Sequence, residues 1–358
     1  MKAFKTNIFA AAVAILLVAC GGGDSGSEAN GSIGVTPPVT PPVTPPVIPP
    51  VVPPVTPPET PAPEASSIQT SVVAATYAAG TEQRNAYNYL NSQRLACGFG
   101  LLQQDVNLDI SAQGHANYLS VNHLVSHYQD KITFPVGFTG SRLNDRMMTA
   151  NYPVISGAEV ISTPYPYAFY SSYGSTLGQS SVMDLFTNPY HGNGILDGER
   201  DIGIGFENIN EYSRIVINTG STSNRTPQQI SRDKVITYPC SGTTDVLTKS
   251  YTDEIPSPIA GRNLIGNPIG HPIYVKVRDG NKLILSGYIL RKTGTEIDIP
   301  LQILTKENDQ NRTIKVDSVA ILMPLVPLQK NSSYDFKSTG TNNDNSISIS
   351  FTFNTGNY

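Results

Sequence analysis

A period-four repeat limits where this chain can fold. It runs Thr36-Pro-Pro-Val, Thr40-Pro-Pro-Val, Thr44-Pro-Pro-Val and on to Thr56-Pro-Pro-Glu. Half of the chain's 28 prolines lie between Pro37 and Pro63. Proline has no amide donor, so neither a helix nor a sheet ladder can form through this stretch. The expected form is a stiff polyproline II rod, at ~3.1 Å per residue about 80 Å long. Its role is spacing, and the segments on either side of it are separate problems.

The segment before the rod is an export signal. Lys2 and Lys5 form a charged start, and Ile8 to Val18 is an apolar run too short to span a bilayer. The run ends in Leu17-Val18-Ala19-Cys20, which resembles a bacterial lipobox. That resemblance implies cleavage before Cys20 and lipidation of Cys20, and several acyl chains on one residue give a stable membrane anchor. Residue 21 is Gly rather than Asp, so the inner-membrane retention signal of some Gram-negative bacteria is missing. The expected location is the cell envelope, with the outer membrane favoured in a Gram-negative organism.

About 290 residues follow the rod, enough for two domains of ordinary size. The net charge is −4 and the basic residues are scattered, so no nucleic-acid surface is expected. With Cys20 lipidated, Cys97 and Cys240 remain. Two cysteines in an oxidising envelope are expected to pair, and the alternative is two free thiols. The layout read from the chain is a signal peptide over 1–19, a lipidated N-terminus and spacer over 20–77, a first domain over 78–242, and a smaller second domain over 243–358.

In the first domain, Glu82 to Leu95 has helical spacing and Gly98 as a stop. A second helix carries Leu108, Ala112, His115 and Leu119 on one stripe, with Asp105 as its cap. It is expected to end near His127. The Gly- and Tyr-rich middle gives poor signals. Ser180 to Leu185 and His191 to Leu196 look helical, while 201–206 and 214–218 are short β-rich runs. Helices followed by strands indicate an α+β arrangement.

The order Tyr89-Leu-Asn-x-x-Arg94, Gly98, Leu101, Asp105-x-x-Leu108, Ala112-x-x-His115-Ala, Ser126-His127, Asp145-Arg146, Tyr152, Glu159, Pro189-x-His191, Ile195-Leu196 and Gly203-x-Gly205 resembles the bacterial branch of the CAP superfamily. That superfamily includes the cysteine-rich secretory proteins, antigen 5 and pathogenesis-related class 1 proteins, and its domain is also called SCP-like. The resemblance covers about 160 residues and implies an α-β-α sandwich with a large cleft. In the family the cleft holds two histidines and two glutamates, and the histidines often bind zinc or another divalent ion. His127 and His191 match the histidines, and Glu159 matches the first glutamate, although its motif here reads Ala158-Glu159-Val160. The second glutamate is expected near Asn188 and is missing, with Asp184 one turn earlier as a substitute.

Independently of the family, two imidazoles and a carboxylate suit a divalent transition metal with an open position. The metal set that the resemblance implies is His127, His191 and Glu159, with zinc as the ion, and Asn188 joins them in the ligand cleft. His115 lies on the apolar stripe and reads as a packed core histidine. His123 reads as solvated, and Asp145 and Arg146 as structural. There is no Gly-x-Ser-x-Gly elbow, phosphate-binding loop or dinucleotide fingerprint.

In the second domain, Glu254-Ile-Pro-Ser-Pro reads as a linker. Residues 272–285 read as two strands joined by the Asp279-Gly280 turn. Ile347, Ile349, Phe351 and Phe353 alternate with Ser and Thr as in a half-buried strand. The pattern fits an all-β sandwich and resembles bacterial Ig-like modules.

Two functional classes follow. One is a lipid-anchored protein whose cleft takes a divalent metal and a small apolar, lipid-like or peptide ligand. The other is a metal-dependent hydrolase acting on peptides or cell-wall components. Binding is favoured, because a Glu159 spent on the metal leaves no general base.

Overall fold

Ile215, Val216 and Ile217 are consecutive and all buried, which requires a strand covered on both faces. They sit in β4 (Tyr212–Thr222), one of the two inner strands of a four-stranded sheet. The structure is a computed structural model that describes residues 67–164, 176–209, 212–250 and 254–358. The signal sequence, Cys20 and the proline repeat lie outside the described residues. β1 (Gln103–Gln104) runs parallel to β3 (Asp201–Ile209), and β4 pairs antiparallel with β3 and with β2 (Val154–Ser162).

Helices cover this sheet on both sides. α1 (Glu82–Ala96) starts at Thr81, whose hydroxyl accepts from the Arg84 amide. α2 (Val106–Val121) starts at Asp105, which accepts from the amides of Asn107 and Leu108. The α2 stripe of Leu108, Ala112, His115 and Leu119 is buried throughout. Gly203 and Gly205 let α2 lie directly on β3. A Cβ at Gly203 would sit 2.0 Å from the Leu108 carbonyl carbon, and one at Gly205 would sit 2.4 Å from the Ala112 carbonyl oxygen. Val216 faces the α2 side with Ala112 and Leu119. Ile215 and Ile217 face the other side with α1 and α4 (Leu177–Leu185). The short helices α3 (Leu143–Thr149) and α5 (Pro189–Ile195) complete this half.

α2 ends earlier than its periodicity suggests. His123 has φ 54°, a left-handed conformation that breaks the helix, and Asn122 caps it by donating to the carbonyls of Tyr118 and Val136. His127 is therefore delivered by a loop, six residues beyond the helix.

The C-terminal half contains two more sheets. β5 (Val235–Tyr238), β6 (Ile273–Val277), β9 (Val319–Pro324) and β8 (Leu301–Leu304) form one, in that order. β11 (Asn345–Asn354), β10 (Ser333–Asn342) and β7 (Leu283–Lys292) form the other. Ile273, Val275 and Leu322 of one sheet meet Leu290, Phe336 and Phe353 of the other in a shared core. The hairpin expected across Asp279-Gly280 is not formed. β6 is already flanked by β5 and β9, so the turn carries the chain over to the second sheet.

The opposite face of the β5-β6-β9-β8 sheet is also buried. Tyr274, Ile321 and Met323 join the cluster that contains α1, α4 and Phe186. The Tyr274 hydroxyl donates to the Phe186 carbonyl at 2.9 Å. Cys97, which caps α1, forms a disulfide with Cys240 just after β5. The expected pairing of these two cysteines is thus present.

Candidate functional site

His115 organises the loop that carries His127. Its ring is fully buried, Gln129 Nε2 donates to Nδ1 at 2.8 Å, and Nε2 donates to the Ser126 carbonyl at 2.9 Å. Burial pushes this imidazole down to about 4, against the pull of the Glu159 charge. A neutral, fully bonded His115 matches the core-histidine reading, and it fixes the backbone one residue before His127.

Glu159 projects from β2 and is almost completely buried. Arg146 of α3, itself buried, donates from Nη2 to Oε1 at 2.8 Å and to Oε2 at 2.7 Å. His127 Nδ1 lies 3.1 Å from Oε1. Burial alone would raise the Glu159 pKa, but the His127 hydrogen bond and the Arg146 charge outweigh it and hold the carboxyl below its ordinary value. Arg146 Nη1 also reaches the His127 carbonyl at 3.3 Å. Arg146, read from the sequence as structural, therefore helps to build the site.

His191 is anchored in a parallel way by a residue read from the sequence as linker. Glu254 Oε1 lies 2.6 Å from His191 Nδ1 and accepts the His191 amide at 2.7 Å. Its Oε2 accepts the Tyr190 amide at 3.0 Å. Glu254 is thus the carboxylate that satisfies the N-terminus of α5, where Asn188 makes no side-chain cap bond. Burial lowers the His191 pKa, but the Glu254 hydrogen bond and charge, with the Asp184 charge, more than compensate and leave it raised. No local sequence signal marks Glu254. It lies 63 residues from His191, two residues before a proline.

The two histidines face each other, with ring centroids 5.9 Å apart and planes 27° from parallel. A carboxylate at Nδ1 makes that nitrogen the donor, so each ring directs its lone pair through Nε2. Neither Nε2 has a partner among the described residues. Both rings line a cleft of about 350 Å³ with Val125, Tyr128, Ile161, Asp184, Asn188 and Ile255. Its rim is apolar and open: Val125 and Tyr128 are each 66% exposed and Ile255 is 87% exposed. Asn188 is at the cleft, but its Oδ1 accepts from Ser250 and its Nδ2 donates to the Asp184 carbonyl. His123 is exposed and packs on Tyr212 with centroids 4.2 Å apart, away from this set.

Among the described residues, no three His, Cys, Asp or Glu side chains converge as a ligand group. The oxygens of Glu159 are held by Arg146 and His127. The donor set that fits a divalent transition metal is therefore two Nε2 atoms, each steadied by a buried carboxylate. The remaining coordination positions would go to water or to a bound molecule.

Among the described residues, no helix is long and apolar enough to cross a membrane. No family model matches the chain, and no curated protein matches it. Among solved structures the chain is similar to an extracellular protein containing a SCP domain from Bacillus anthracis, at 15% identity and a TM-score of 0.30, over 39% of this chain and 40% of that one, a likeness too slight to bear on fold or function.

Proposed function

We propose that this is a lipid-anchored cell-envelope protein whose cleft binds a divalent metal, with zinc as the first candidate, through Nε2 of His127 and His191. The carrying observation is the pair of carboxylate-backed imidazoles, 5.9 Å apart, opening on one cleft. Glu159 and Glu254 hold the rings and set the tautomers rather than binding the ion. The apolar rim of Val125, Tyr128 and Ile255 suits a small apolar, lipid-like or peptide ligand, whose own polar group would complete the metal's coordination. Cys20 would carry the lipid and the proline rod would hold the cleft away from the bilayer.

Binding is favoured over metal-dependent hydrolysis by the state of Glu159. A buried carboxylate gripped by Arg146 and held below its ordinary pKa is a poor general base near neutral pH. Crystals soaked in zinc and measured at the zinc edge test the reading directly. An anomalous peak within bonding distance of both Nε2 atoms supports it, and a peak elsewhere with none at the histidines refutes it.

A further inference from the structure

We infer that the outer edge of β11 is a homodimer interface, in which two copies of this chain join their sheets by pairing residues Ser346 to Ser350 across a two-fold axis. Two other edges of the C-terminal sheets offer a contrast. The C-terminal end of β7's outer edge is occupied by the return strand, where Ile299 N–H donates to the Leu290 carbonyl and Arg291 bridges to Asp298. On β8, the Ile303 carbonyl is taken by the Asn308 side chain. β11 has ten uninterrupted pairs with β10 on its inner side. Along its whole length it carries no charge, no proline and no bulge. Those are the devices by which natural edge strands avoid pairing with another chain.

The direction of the free backbone groups follows from the covered end of the strand. The Thr352 carbonyl accepts from Gly242, Asn354 N–H donates to the Thr243 carbonyl, and the Asn354 carbonyl accepts from Val246. Even-numbered residues therefore turn their N–H and C=O groups outward, as the alternation of an antiparallel ladder requires. Ser346, Ser348 and Ser350 share that direction, and their outward groups have no partner among the described residues. The uncovered edge thus ends where the segment after Cys240 begins to cover it.

That uncovered stretch is a palindrome, Ser346-Ile347-Ser348-Ile349-Ser350. A two-fold axis at Ser348 pairs Ser348 with itself, Ser346 with Ser350, and Ile347 with Ile349. The serines all fall at hydrogen-bonded pairs, giving about six backbone hydrogen bonds, and the isoleucines fall at the close, non-hydrogen-bonded pairs. Apolar residues meet apolar ones and exposed serines meet exposed serines. Ile347 and Ile349 also line an open groove of about 580 Å³ between β11 and β5, with Val235 and Ile236 on its floor and Asp233 and Lys234 at its side, into which the partner's isoleucines would project. Self-complementarity of sequence, free backbone and apolar floor over the same five residues selects a second copy as the occupant.

Sedimentation equilibrium of the full chain, with Ser348→Pro and Ser348→Cys variants, tests the interface. Proline at 348 removes only an outward N–H, so the ladder to β10 stays intact. The wild type is expected to sediment as a dimer and Ser348→Pro at half that mass. Ser348→Cys places two thiols at a hydrogen-bonded pair, where Cα atoms lie ~5.5 Å apart, within disulfide reach. Under mild oxidation it is expected to give a covalent dimer that the parent chain does not form. A monomeric wild type, a Ser348→Pro variant that remains dimeric, or a Ser348→Cys dimer that does not cross-link would each overturn the inference.

Discussion

Glu254 holds His191 by two atoms at once, accepting its backbone N–H at 2.7 Å and its Nδ1 at 2.6 Å. One carboxylate thus satisfies a helix N-terminus and fixes the ring that α5 carries. The first half of the chain lacks a carboxylate at the position the family resemblance implies, and the later segment provides one beside His191. Replacing Glu254 by Gln is expected to weaken zinc binding by about 10–100-fold, the usual effect of losing a partner behind a ligand histidine. Circular dichroism should stay close to wild type. Unchanged affinity would mean that His191 orientation does not matter to the site.

The Arg146–Glu159 pair should behave as a buried ion pair. Arg146→Met leaves the Glu159 carboxylate buried without its main cation, and is expected to cost about 3–5 kcal/mol in urea denaturation. The double variant Arg146→Met with Glu159→Leu should recover much of that loss, because no charge remains buried. A double variant as unstable as the single one would contradict this picture.

The disulfide closes a span of 143 residues. Removing it through Cys97→Ala and Cys240→Ala is expected to lower stability by about 2–5 kcal/mol. Denaturation midpoints of oxidised wild type and the double variant provide the comparison. Coincident curves would show that the tether contributes nothing beyond the packing around it.

His271 predicts an acid-sensitive stability. It is buried, Nδ1 bonds to the Pro272 carbonyl, and burial pushes its pKa down to about 4. In the unfolded chain a histidine takes up its proton near pH 6.5. The folded pKa is depressed, so the unfolded state binds the proton first as pH falls. Stability should therefore decline from about pH 6.5 to about pH 4, at up to about 1.4 kcal/mol per pH unit for this group, and level off below. His271→Gln should flatten that part of the profile by about one proton. An identical slope in both proteins would show that His271 titrates in the folded state.

The elements that follow a strong period were legible in the sequence. α1 and α2 obey helical spacing and carry proper caps, and β11 alternates Ile and Phe with Ser and Thr. β2 was not legible, because Ser156, Gly157 and Glu159 interrupt its apolar residues and Ile155 at its start is exposed, so no clean alternation remains. His127, His191 and Glu159 could be chosen from the sequence; the structure places the two histidines on one cleft and Glu159 behind His127. Arg146 could be marked only as structural and Glu254 only as linker, since their contacts span 13 and 63 residues and leave no local pattern. The separation of Ile273–Val277 from Leu283–Lys292 was likewise hidden. An Asp-Gly turn reads as a hairpin unless the neighbours of β6 are known.

Isothermal titration with zinc at neutral pH, on wild type and on the variant combining His127→Ala with His191→Ala, tests the proposed site most directly. Wild type should bind one zinc ion per cleft, and the double variant should lose that binding, with circular dichroism confirming that its fold is retained. Equal zinc binding by a folded double variant and by wild type would contradict the two-histidine site.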